Sequence, residues 1–302
     1  MRFGTDLFGK HMQQMLPRMD NYHIPVLVKE VLEGLHVQPG KKYIDATFGG
    51  GGHAKEILKH GGILLGIDAD KDAIEHAKQE GMNWDVVQGN FRNIEEIAKH
   101  NGFENVDGIL FDLGVSSHQI DTEERGFSYR FPNAVLDLRM DPAKGESAAE
   151  IINHSSEEAL YEIFAHFGEE EKARTIARAI CHARNKHAFA NVGDLIAVIE
   201  PIIPDKKQRM GVLSRIFQAL RIVVNDEMDA LTEGLKGAKA LLNKEGRLVV
   251  ISFHSLEDRK VKLFLQGAGW RLISKKPVIA DDKEVEMNPR SRSAKLRIAE
   301  KL

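Results

Sequence analysis

Tyr43-Ile44-Asp45-Ala46-Thr47-Phe48-Gly49-Gly50-Gly51-Gly52-His53 decides how the chain is read. A short β-favouring run ends in an acid, four glycines follow, and Ala54-Lys55-Glu56-Ile57-Leu58 opens a helical pattern. The segment predicts a strand, a tight turn and a helix N-terminus. Glycine has no Cβ, so such a turn reaches positive φ and lets backbone lie close to a ligand. The helix start adds unpaired N–H groups and the positive end of a dipole. This arrangement suits the polar part of a nucleotide-like cofactor. A flexible surface loop is the plain alternative, disfavoured by the strand and helix that flank the glycines directly.

Outward from this turn the pattern repeats. Upstream, residues 1–22 read as a loose arm and Val28 to Leu35 as a short helix. Strand one spans Lys42 to Ala46, and its helix runs from Ala54 to Lys59. Ile63-Leu64-Leu65-Gly66-Ile67-Asp68 is a buried-type strand ending in an acid, followed by a helix from Asp70 to Gln79. Asp85 to Gln88, a helix from Ile94 to His100, and a strand from Val106 to Val115 continue the alternation. Repeated β-α-β units with apolar strands predict an α/β fold with a parallel sheet covered on both faces.

The pattern then breaks. From Glu123 to Gly211 no strand is expected. Ser155-x-x-Glu158 reads as a capping box opening a helix that Gly168 ends. Helices from Glu169 to Asn185 and from Asn191 to Ile199 follow. The sheet resumes after one long amphipathic helix, Ser214 to Leu242. Gly246 to Phe253 is strand five, Leu256 to Gln266 a helix, and Trp270–Ile273 and Ala294–Ile298 two closing strands, joined by a polar loop. The expected division is a first sheet part over 1–130, an inserted helical domain over 131–212, and a second sheet part over 213–302.

Composition bounds the function classes. The 302 residues are 42% hydrophobic and 29% charged, as in soluble globular proteins. No apolar run has transmembrane length, and the N-terminus lacks a secretory pattern, so a cytoplasmic protein with no membrane partner is the default. The single cysteine, Cys181, excludes an intrachain disulfide and a cysteine-based zinc site; the histidines are scattered, and no metal is expected. Net charge is −3, yet basic residues cluster locally. Arg174, Arg178, His182 and Lys186 are four apart and form one stripe on a helix. Arg290 and Arg292 lie near the C-terminus. Such a face on a neutral protein can bind a phosphate backbone, or can simply be solvated.

Gly49-x-Gly51-x-x-Ala54 fits the loose dinucleotide fingerprint, and Asp68 stands where an acid would accept hydrogen bonds from ribose hydroxyls. NAD and S-adenosylmethionine proteins share both features. Asp45, just before the turn, favours the latter: a carboxylate there meets a cationic group and would repel a pyrophosphate. Phe91, after strand three, can pack on an adenine face. Asp112, ending strand four, lies near the switch point of the sheet.

Several longer motifs carry a resemblance. They are Asp107-Gly108-Ile109-Leu110-Phe111-Asp112-Leu113-Gly114-Val115-Ser116-Ser117-His118-Gln119-Ile120-Asp121, Arg125-Gly126-Phe127-Ser128, Leu136-Asp137-Leu138-Arg139-Met140-Asp141, Phe217-Gln218-Ala219-Leu220-Arg221-Ile222, Ser252-Phe253-His254-Ser255-Leu256-Glu257-Asp258-Arg259 and Asn288-Pro289-Arg290-Ser291-Arg292-Ser293-Ala294-Lys295-Leu296-Arg297. In this order, from His23 to the C-terminus, the chain resembles the MraW family of 16S ribosomal RNA cytosine-N4 methyltransferases. The resemblance implies a class I, Rossmann-like S-adenosylmethionine-dependent sheet with a helical insertion. It implies cofactor contacts at Gly51, Gly52, His53, Asp68, Phe91, Asp112 and Gln119, beside Asp45 and Gly49 from the turn itself. The implied substrate is a cytosine in the decoding region of 16S rRNA in the small ribosomal subunit. His118 departs from an expected proline, and Gly211-Val212-Leu213-Ser214 replaces a His-Pro-Ala-Thr-like run.

Cytosine's amine is a weak nucleophile, so an acceptor that localises its lone pair and takes a proton would help. Asp112 and His254 are the candidates, both at strand ends. Arg174, Arg178 and Lys186 from the insertion, with Arg290 and Arg292, are the candidate RNA contacts. Whether the chain forms a homodimer stays open. An NAD-linked oxidoreductase and a non-catalytic RNA-binding assembly factor are the alternative readings.

Overall fold

A computed structural model describes residues 25–79 and 85–302. The expected arm, residues 1–22, lies outside the described residues. Helix α1 (Val28–Leu35) leads into β1 (Lys42–Asp45), α2 (Gly52–Lys59), β2 (Ile63–Asp68), α3 (Lys71–Gln79), β3 (Asp85–Gln88), α4 (Ile94–His100) and β4 (Val106–Asp112). The alternation is the expected one; bounds differ by one or two residues in β1, α2 and α3, and β4 ends at Asp112, three residues early. The chain then turns into α5 (Ser117–Asp121), whose Ser116–Gln119 capping box fixes its start.

A helical layer follows: α6 (Ala148–His154), α7 (Glu157–His166), α8 (Ala173–Arg184), α9 (Val192–Ile199) and α10 (Lys206–Val224). Helix α11 (Glu227–Leu241), β5 (Leu242–Ser252), α12 (Ser255–Leu265), β6 (Trp270–Leu272), α13 (Asp282–Met287) and β7 (Lys295–Lys301) complete the chain.

The seven strands are ordered β3-β2-β1-β4-β5-β7-β6. β3 to β5 are parallel, and β7 is antiparallel to both β5 and β6. This is a Rossmann-like sheet whose order reverses between β1 and β4, the switch point where α/β proteins place ligands. Alternate side chains fill two cores. Leu65, Ile109, Phe111, Leu248 and Val250 pack under α4 and α11. Leu64, Leu110, Val249 and Ile251 pack under α1 and α2. A third core, including Phe127, Leu160, Phe164, Ile176, Leu195 and Phe217, lies within the helical layer.

Several boundaries differ from expectation, each for a local reason. The single helix expected over Ser214 to Leu242 is two. Asp226 takes a left-handed conformation at φ 49°, and the Asn225 amide donates to the Leu138 and Arg221 carbonyls. Asn and Asp tolerate that conformation better than other side-chain-bearing residues. The cap of α7 is Ser156, accepting from the Ala159 N–H, not Ser155. Helix α8 starts after Lys172, because Glu169 sits at φ 49° and Glu170 folds back onto the Phe164 carbonyl. Helix α6 was not expected. Strand β5 begins at Leu242, with Gly246 inside it, and the polar loop before β7 carries α13 and a short 3₁₀ turn, Pro289–Ser293.

The glycine turn is held by one ring. Phe48 packs so closely that a Cβ on Gly51 would stand 2.8 Å from its Cζ, and a Cβ on Gly66 in β2 2.5 Å from its Cδ2. Gly51 also has φ 70° as the N-cap of α2. At Gly49, with φ 52°, a Cβ would meet the Thr47 carbonyl oxygen at 3.9 Å, an ordinary van der Waals contact. Gly51→Ala should therefore combine strained backbone and overpacking, about 2–4 kcal/mol. Gly49→Ala should cost only the conformational part, about 1–2 kcal/mol. Chemical denaturation of the two variants, and of Gly51→Ala with Phe48→Leu, checks this: the ring truncation should recover part of the larger loss.

Candidate active site

The C-terminal ends of β1, β2, β3 and β4 open onto one cavity, whose empty space, with the open solvent at its mouth included, is about 1080 Å³. Its walls include Gly49, Gly52, His53, Asp68, Phe91, Asp112 and Gln119. Asp45 and Gly51 lie behind the wall: Asp45 is 1% exposed at the end of β1, and Gly51 turns the chain into α2.

Asp68 is built for recognition. Its Oδ2 accepts the Gly49 N–H at 2.7 Å and its Oδ1 the Asp70 N–H at 2.8 Å. The first bond ties the end of β2 to the glycine turn; together they orient both oxygens. Burial pushes its pKa up to about 6, against the pull of those two N–H groups. Asp45, also raised by burial, reaches about 7, with His53 easing the shift.

His53 sits on the first turn of α2, with its Nε2 3.5 Å from Asp112 Oδ2. Burial alone would disfavour its charged form, but Asp112 and Asp45 outweigh it and raise its pKa. Its Nδ1 is buried with no hydrogen-bond partner among the described residues. The Asp112 N–H donates to Thr47 Oγ1 at 2.6 Å, locking β4 to the turn. Phe91 stands edge-on to Phe111, centroids 5.6 Å apart, on the far wall. A Cβ on Gly234 of α11 would come within 2.9 Å of the Phe91 ring, so that helix backs it closely.

Gln119 reaches the site through a residue that sequence reasoning passed over. Its Nε2 donates to Asp70 Oδ2 at 2.7 Å. The Arg125 guanidinium donates to Asp70 and Asp72 with Nη1, and to the Arg139 and Met140 carbonyls with Nη2. One side chain thus fastens the β2–α3 turn to the segment leading into the helical layer. Arg125-Gly126-Phe127-Ser128 was visible as a motif, but no local pattern says that its arginine reaches a loop some fifty residues upstream.

His254 does not line the cavity. It is the N-cap of α12, its Nδ1 accepting from the Glu257 N–H and its Nε2 3.2 Å from Glu257 Oε1. Glu257 and Glu227, neither foreseen, line the wall near Phe253. The break before α11 turns Glu227 inward, and a helix read straight through Asn225-Asp226 hides it.

The basic candidates are spread out. Arg174 pairs with Glu158, its guanidinium 3.6 Å above the Tyr161 ring, and Arg178 pairs with Glu157. Helix α8 ends before Lys186, so the expected four-residue stripe is interrupted and half of it is paired with α7. Lys186 and Arg292 are exposed. Arg290 pairs with Asp121 at 3.0 Å, bringing the 3₁₀ turn to the end of α5, beside Gln119.

Residues 20–302 match the MraW methylase family. A ribosomal RNA small subunit methyltransferase H of Bacteroides thetaiotaomicron is 44% identical over 299 residues, covering 93% of this chain and 97% of that protein. The protein of the same name from Deinococcus deserti is 47% identical over 282 residues, covering 93% of each. Among solved structures, PH0851 aligns with 92% of this chain and 46% of its own at 15% identity, with a TM-score of 0.45. With the family match running through the sheet, the glycine turn and the helical layer alike, the chain belongs to the MraW methylase family.

Proposed function

We propose that this protein transfers the methyl group of S-adenosylmethionine to N4 of a cytosine in the decoding region of 16S rRNA within the small ribosomal subunit. The observation that carries the reading is the acidic hollow at the switch point, in a chain of the MraW methylase family. The relatives' name supports RNA of the small subunit as the substrate.

The residues present fit the cofactor. Asp68 keeps acceptor capacity on both oriented oxygens for a ribose diol. Phe91 offers an apolar face to adenine. The Gly49–Gly52 turn, with Asp45 behind it and Asp112 beside it, gives the amino-acid end a carboxylate-rich bed, and the buried Nδ1 of His53 is a polar atom awaiting a partner. When bound, S-adenosylmethionine supplies a methyl group on a cationic sulfur. The protein then has to hold the base in line with that group and exclude water. Closed walls from Phe91, Leu113, Phe253 and Leu231 serve the second task. Asp112 is the carboxylate we assign to the amine, and the capping role of His254 makes it a positioning residue in this reading. We assign RNA recognition to the helical segment, residues 131–212, and to the Arg290–Arg292 turn. The target base has to leave its stack to enter.

Incubated with labelled S-adenosylmethionine and small subunits lacking the modification, the protein should label one cytosine, and nuclease digestion with mass spectrometry should return N4-methylcytidine. Label on another atom, or none, contradicts the reading.

The Asp68 carboxyl sits near pKa 6 and accepts best when ionised. Cofactor binding should therefore release a proton below that pH. Affinity should fall as pH drops from 7.5 to 5.5. Asp68→Asn should lower affinity by about tenfold or more and flatten this part of the profile. Calorimetry with S-adenosylhomocysteine at several pH values measures both.

Arg174→Glu with Arg178→Glu should weaken binding to small subunits and reduce its salt dependence by about two phosphate contacts. Unchanged binding in a salt titration would confine these arginines to their pairs with Glu158 and Glu157.

A further inference from the structure

Beyond the methyl-donor end, the cavity wall carries a carboxylate, Glu227, that the reaction as described does not use, and an arginine backs it. Arg221, in the last turn of α10, and Glu227, at the start of α11, meet across the break between the helices. Arg221 Nε donates to Glu227 Oε1 at 2.7 Å and Nη2 to Oε2 at 3.0 Å. The Arg221 and Glu227 side chains are 14% and 10% exposed, and Glu227 lines the cavity. The third guanidinium nitrogen, Nη1, makes no hydrogen bond among the described residues. It lies 3.9 Å from where a Cβ of Gly114 would stand, at the end of β4.

Glu257 lines the same wall as Glu227 and is already committed. Its Oε2 accepts the Phe253 and His254 N–H groups, and its Oε1 faces His254. Burial would raise its pKa, but His254 and Arg221 hold it below the ordinary value, so it stays an anion and balances the Arg221 charge. Glu227, His254 and Glu257 offer atoms within 4.8 Å of one another, a spacing a metal ion could use. Arg221 already bridges both Glu227 oxygens, which argues against a cation there. Each of those oxygens retains a lone pair beyond its bond to Arg221, on a residue that lines the cavity.

We propose that Glu227 and Arg221 read the Watson–Crick edge of the target base. This rests on the functional reading above and deepens it by naming what selects cytosine. Cytosine presents an amino donor at N4 beside acceptors at N3 and O2. A carboxylate accepts from the first, and a guanidinium N–H donates to the second or third. Uracil would set its O4 against the carboxylate and its N3–H against the guanidinium, two opposed pairs. Gly114 lines the cavity beside Nη1, and a side chain there would stand between the two.

The test uses the full chain with Glu227→Gln, Glu227→Asp and Arg221→Lys, the last keeping charge but losing the fork. Three quantities are measured: kcat/KM on unmodified small subunits, S-adenosylhomocysteine affinity, and binding of cytidine against uridine monophosphate with that product bound. For Glu227→Gln and Arg221→Lys, kcat/KM should fall about ten- to a hundredfold and the preference for cytidine should vanish, while product affinity stays within about twofold. Glu227→Asp should lose rate but keep the preference, which covers a Gln variant that fails to fold. Unchanged rate and preference in active variants overturn the proposal alone. A parallel loss of product affinity overturns it in favour of a structural pair. A wild type that does not methylate N4 overturns the functional reading and this proposal together.

Discussion

Carboxylates buried at the ends of neighbouring parallel strands set the terms for the rest of the molecule. Asp45 and Asp68 are held against one hollow at pKa values of about 7 and 6, and burial is the larger cause in each. Asp112 closes the same edge, 3.5 Å from His53. Burying an anion is costly unless something positive answers it. Arg125 answers Asp70, Arg221 answers Glu227, and His53 lies between Asp45 and Asp112. A cationic ligand supplies what these leave over, and an anionic one worsens the imbalance. On this balance a cationic ligand should be favoured over an anionic one before any shape is considered.

The fold exists to keep that edge rigid. Phe48 wedged between Gly51 and Gly66 fixes the turn, Thr47 ties β1 to β4, and Gly49 ties the turn to Asp68. Arg125 then carries the geometry out of the sheet, clamping Asp70 and Asp72 to the backbone at Arg139 and Met140. The two helices α10 and α11 complete the enclosure: their break turns Glu227 inward, and Gly234 allows α11 to press on Phe91.

Most of the sheet was legible in the sequence, because parallel strands buried on both faces leave continuous apolar runs, and each strand that matters ends in an acid. The glycine turn announced itself for the same local reasons. What escaped was non-local or conformational. Asn225-Asp226 could have been read as a helix break, since both residues tolerate left-handed backbone, yet the apolar periodicity on either side runs through it. The cap of α7 slipped by one residue because adjacent serines offer the same chemistry. Arg125 and Glu257 owe their importance to partners that only the tertiary fold supplies. The basic stripe was legible only in part: spacing puts Arg174 and Arg178 on one face, but only packing shows α7 presenting Glu158 and Glu157 to them.

The claim that decides between the readings is that an electron-rich hollow prefers a sulfonium to a pyrophosphate. Equilibrium calorimetry of the protein with S-adenosylmethionine and, separately, with NAD tests it at neutral pH. Saturable one-to-one binding of S-adenosylmethionine with no heat from NAD is the predicted result. Binding of NAD at the same site, or of neither, would contradict it.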